Sequence, residues 1–63
     1  MTIVSTTTRD ICGRQVIVVK SEVQDYNFSF NPKINVLTIW RDNHNTNRSC
    51  ASFDEAIELV KSL

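Results

Sequence analysis

The apolar residues of this chain change their period once, and that change limits what it can fold into. From the capping segment onward, Phe53, Ala56, Ile57, Val60 and Leu63 recur at helical spacing, whereas upstream the repeat is two. Strands followed by one helix make an α+β chain: the sequence predicts an antiparallel β-meander of three to four strands with one C-terminal amphipathic helix packed on one face. At 63 residues there is room for a single small domain, 1–63, with a modest core.

The helix has a start signal. Ser52-Phe53-Asp54-Glu55 fits a capping box, in which the Ser52 hydroxyl accepts from the Glu55 amide and the Glu55 carboxylate reaches back to the Ser52 amide. Asp54 and Glu55 suit the positive end of the helix dipole and Lys61 the negative end, so the helix is expected over about Phe53 to Ser62. Upstream, Tyr26, Phe28 and Phe30 alternate with Asn27, Ser29 and Asn31, which predicts a strand with one buried face. Asn31-Pro32-Lys33 reads as a turn, and Ile34 to Arg41 as the returning strand. The branched run within Gln15 to Val23 predicts another strand, and the Thr-rich segment Thr2 to Thr8 an edge strand, joined through Asp10 to Gly13. Gly13, the only glycine, is expected at a positive φ. The polar stretch Asp42 to Asn47 reads as a loop, with a short extra strand conceivable at Arg48 to Ala51.

One helix covers one face of a sheet, yet two strands here are apolar on both sides. Val16 and Val18 alternate with Ile17 and Val19, and Leu37 and Ile39 alternate with Ile34, Val36 and Trp40. This surplus predicts that the second face is covered by a second copy or by a partner, because soluble monomers seldom leave a contiguous apolar patch in water. The parity of the turn at Pro32 decides which residues would be covered. An even loop places Leu37 and Ile39 beside Phe28 and Phe30; an odd one places Val36 and Trp40 there. The partner-binding candidates are therefore Val36, Leu37, Ile39 and Trp40, with Arg41, His44 and Arg48 around the polar loop as a second contact.

The inventory for catalysis is thin. The single histidine, His44, precedes Cys50 by six residues, and nothing around them resembles a nucleophile motif. Cys12, Asp42, His44 and Cys50 lack the close paired spacing of a metal site. His44 and Asn45 just before a helix resemble, in outline, the metal-dependent ββα nucleases, but Asp54 and Glu55 are better explained as capping residues than as ligands. No enzyme activity, cofactor or metal is expected. Met1 to Thr8 lacks the features of a secretory signal and no run is long enough to span a membrane, so the expected setting is the cytoplasm, with Cys12 and Cys50 free. A single disulfide between them is the alternative.

Seven basic and seven acidic residues cancel, which weighs against nucleic acid as a partner. The balance is uneven along the chain: positions 1–48 carry six basic and four acidic groups, and 49–63 one basic and three acidic. Three strands and a helix over residues 14–63, with Trp40-Arg41 in a strand and Arg48 beyond the loop, resemble in element order the small arm-site DNA-binding domains of tyrosine recombinases. That resemblance implies a sheet-mediated nucleic-acid reading in which Lys20, Lys33, Arg41 and Arg48 meet phosphates and Trp40, Tyr26 or Phe28 stack on bases. Asn, Ser and Thr, six residues each, suggest an AT-rich coding genome of the kind common in phages and mobile elements. The leading expectation is a non-enzymatic, homodimeric protein-interaction domain, in the setting of a small phage or mobile-element protein that binds and inhibits a host factor. Nucleic-acid binding through the sheet is the alternative.

Overall fold

The computed structural model describes residues 1–42 and 44–63. Five strands, β1 (Ile3–Ile11), β2 (Arg14–Ser21), β3 (Tyr26–Asn31), β4 (Val36–Arg41) and β5 (His44–Ser49), precede one helix, α1 (Phe53–Ser62). Each strand pairs antiparallel with its neighbours in sequence, so the sheet is a meander in the order β1-β2-β3-β4-β5. The α+β class and the helix bounds agree with the sequence expectation, but the sheet has five strands rather than three to four.

The fifth strand replaces the expected loop. His44–Ser49 pairs with β4 along its whole length, from Arg41 opposite His44 to Val36 opposite Ser49. Asp42 turns the chain with φ of 53°; Asn43, also part of the expected loop, lies outside the described residues. A strand made of His, Asn, Thr, Asn, Arg and Ser gives no apolar alternation to read, because neither of its faces is buried. Its main chain pairs with β4 along one edge, and the Thr38 hydroxyl donates to Asn47 Oδ1 at 2.9 Å. At the other edge, β1 runs on to Ile11, past the expected end at Thr8. Its connection to β2 is only Cys12-Gly13, and both residues have positive φ, 54° and 79°. A tight hairpin of this kind needs left-handed backbone at both central positions, which is the task anticipated for Gly13.

Phe30 pairs with Leu37 and Phe28 with Ile39, so the turn at Pro32 is of even parity. Asn31 Oδ1 accepts from the Lys33 amide at 3.0 Å, and Asn35 takes a φ of 55°. Ile17, Val19, Phe28, Phe30, Leu37 and Ile39 therefore share the face beneath α1. Val19, Phe28, Phe30 and Leu37 join Cys50, Ala56 and Val60 in the buried core, with Phe53, Ile57 and Leu59 packed at its margin. The Phe30 and Phe53 rings lie 5.9 Å apart.

The N-terminus of α1 is capped much as expected. Ser52 Oγ accepts from the Glu55 amide at 3.3 Å, while the Glu55 carboxylate accepts from the Ala51 amide at 3.0 Å, one residue earlier than in the capping box. Leu63, expected on the apolar stripe, is exposed past the last turn.

The parity predicts a contrast between adjacent residues. Leu37→Ala removes a side chain that is 0 % exposed and should lower the unfolding free energy by about 2–5 kcal/mol. Val36→Ala, on the other face, should lower it by under about 1 kcal/mol. Urea denaturation of the two variants measures the difference, and equal losses would contradict the register.

Candidate binding surface on the open face of the sheet

Among the described residues, no element covers the face turned away from α1. Its composition follows from the register, because directly opposed residues share a face. One row across all five strands reads Thr7, Val18, Ser29, Thr38, Asn47. The next reads Ser5, Lys20, Asn27, Trp40, Asn45. Beside them lie Arg9 opposite Val16, Ile11 opposite Arg14, and Asn31 opposite Val36. The part of this face between Arg14 and Val18 on β2 and Trp40 on β4 forms a shallow concavity of about 500 Å³, with Ile34 at its rim; Lys20 and the β1 residues other than Ile11, Arg9 among them, lie outside it.

Trp40 is 47 % exposed on this face. Its indole Nε1 donates to Ser29 Oγ on the neighbouring strand at 3.1 Å, so the ring is tethered to β3 while its apolar surface stays accessible. The hydrogen bond satisfies the only donor of the ring and leaves nothing to be desolvated unpaired if a ligand lies on it.

Charge differs between the two faces. The open-face strand positions carry Arg9, Arg14 and Lys20, and no Asp or Glu among the described residues. Arg14 also shares a depression of about 460 Å³ with Lys33, where the β1–β2 and β3–β4 turns meet. Asp54, Glu55 and Glu58 sit on α1, behind the sheet, and Asp10 faces that side opposite Gln15. Zero net charge thus conceals a basic strip on the β1–β2 side of the open face.

The expected partner-binding residues fall on both sides. Val36 and Trp40 are on the open face. Leu37 lies beneath α1 with no exposed surface, which removes it from any contact with a partner, and Ile39 is half-buried on the same side. Arg41, His44 and Arg48 also face the helix side, around a second depression of about 410 Å³ with Tyr26 and Thr46; the Arg41 guanidinium carbon is 5.1 Å from the Tyr26 ring centroid. The expected phosphate-contacting set is split likewise: Lys20 on the open face, Lys33 in a turn, Arg41 and Arg48 behind. Of the aromatic residues proposed to stack, Phe28 is core and Tyr26 faces the helix side, leaving Trp40. Arg9 and Arg14 were not singled out because β1 was expected to end before them, which left them without an assignable face.

His44 begins β5 and Cys50 follows its end, so about 20 Å of extended chain separates them and they form no nucleophile–base pair. Among the described residues, no group of three or more His, Cys, Asp or Glu side chains is placed to hold a metal, and no helix is long and apolar enough to cross a membrane. Comparison with known proteins finds no matching family model, no matching curated protein and no matching solved structure.

Both cysteines are free, Cys12 exposed in the first hairpin and Cys50 buried. Burial, reinforced by the Glu55 carboxylate and partly offset by Arg48, pushes the Cys50 thiol above its ordinary value. Iodoacetamide at pH 8 should therefore modify Cys12 in the native protein and Cys50 only after denaturation. Peptide mapping by mass spectrometry checks this, and rapid native modification of Cys50 would contradict its burial.

Proposed function

We propose that the chain is a non-enzymatic binding domain that works through the open face of its sheet. The observation that carries this reading is Trp40, held by Ser29 on a face that no described element of the chain covers, with Val16, Val18 and Val36 beside it. Tryptophan and arginine are the side chains that most often dominate binding energy, and here they stand on a rigid sheet that spends little entropy in presenting them.

The nature of the occupant is narrowed by charge. Stacking two open faces about a two-fold axis would bring Arg9, Arg14 and Lys20 of both copies into one interface with no carboxylate at any described open-face strand position to offset them. This opposes the homodimer expected from the doubly apolar strands, at least in its face-to-face form, and favours an occupant other than a second copy.

Two measurements test the reading. Light scattering over a concentration series should give the mass of a single chain throughout; a dimer abolished by Trp40→Ala would place a second copy on this face. Affinity capture from an extract of the source cells should retain a partner that Trp40→Ala loses and Arg48→Ala keeps. Retention by the Trp40 variant with loss by the Arg48 variant would move the working surface behind the sheet.

A further inference from the structure

Resting on the open-face reading, we infer that the occupant is a single-stranded nucleic acid, with its phosphates along Arg9, Arg14 and Lys20 and a base on Trp40. Three features of the face point the same way. Basic residues line the β1–β2 side: Arg14 and Lys20, six positions apart on β2, span about 20 Å of strand. Arg9 lies beside them opposite Val16, and Lys33 extends the strip at the turn it shares with Arg14.

The second feature is spacing. Lys20, Asn27 and Trp40 stand in one cross-strand row, which sets the Lys20 and Trp40 backbones about 10 Å apart. Both side chains are long and rise from the same face, so one residue can hold the charge while the other stacks. Stacking makes no demand on the indole N–H, which Ser29 already satisfies.

The third feature separates nucleic acid from an acidic protein. The centre of a protein–protein interface is its most apolar part. Here the central strand presents Asn27 and Ser29, with Thr38, Asn45 and Asn47 beyond them, and the apolar residues flank that strand as Val16 and Val18 on one side and Val36 and Trp40 on the other. Amide and hydroxyl groups that both donate and accept match the edges of unpaired bases and the sugar–phosphate chain. The basic strip on one side and the amide-rich strands on the other give the face the polarity of a nucleotide strand, backbone to one margin and bases to the other.

Trp40 is the only tryptophan, so intrinsic fluorescence reports this face alone. Twelve-nucleotide oligo(dT) and oligo(rU), a duplex of the same length and poly-L-glutamate would be titrated into the protein at low salt. Fluorescein-labelled oligonucleotides would give anisotropy for variants lacking the tryptophan, and circular dichroism would confirm that each variant is folded. The single strands should quench Trp40, with the DNA and RNA arms deciding which is preferred. The logarithm of affinity should fall against the logarithm of salt with a slope near about −2, as for three phosphate contacts. Arg9→Ala/Lys20→Ala and Trp40→Ala should each weaken binding tenfold or more, Trp40→Phe less, and Arg48→Ala less than twofold. Absence of binding by either single strand, or equal or tighter binding of the duplex, would overturn the inference. Quenching by poly-L-glutamate without oligonucleotide binding would overturn it while leaving the open face as the binding surface. Oligonucleotide binding indifferent to the Trp40 and Arg9/Lys20 variants and lost in Arg48→Ala would overturn both.

Discussion

The fold depends on one mismatch of size. A ten-residue helix is about 15 Å long and about 10 Å across, whereas the outer strands of a five-stranded sheet stand roughly 19 Å apart. Helix α1 can therefore bury only the middle of one face. The core forms where it sits: Ala56 and Val60 come down on Phe28, Phe30 and Leu37, and Val19 and Cys50 close the sides. Removing any of these large side chains takes away a substantial share of the hydrophobic stabilisation available to so short a chain.

Everything outside that footprint is left to water, and the residues there reflect it. Both outer strands are exposed along nearly all their length; β5 is polar throughout, and β1 is Ser, Thr, Arg and Asp apart from Ile3, Val4 and Ile11. The open face is different, because β2 and β4 keep branched and aromatic side chains on it where β5 has Asn and Ser. Such residues add little to the stability of the isolated chain, since nothing packs over them. The proposed binding role would account for their presence beside a basic strip, where folding does not.

Net charge was a poor guide to that surface. Three of the seven acidic residues lie on the helix, where the dipole and the capping geometry favour Asp54 and Glu55. Folding places the helix behind the sheet, so these three carboxylates lie on the side away from Arg9, Arg14 and Lys20, while Arg41 and Arg48 share the helix side with them. A ligand approaching the open side meets Arg9, Arg14 and Lys20 at close range, with the carboxylates of the helix on the far side of the protein, where solvent and salt screen them.

The sequence by itself determined the helix and its cap, the strands at Tyr26–Asn31 and Val36–Arg41, the turn at Pro32 and the need for a positive φ at Gly13, because each depends on local chemistry or on a short apolar period. It also exposed the excess of apolar residues in β2 and β4. Only the tertiary structure decided which of them face outward, because side chains alternate with period two and the parity of one turn moves the whole set: Leu37 went under the helix and Trp40 to the open face. The edge strand at Thr2 to Thr8 was legible though its end was not, whereas β5 reads in the sequence as a loop, since a strand with no buried face shows no hydrophobic alternation and β5 is held by its main-chain pairing with β4. Arg9 and Arg14 became part of a site only when the full length of β1 set them in register, a non-local pairing that no spacing along the chain encodes.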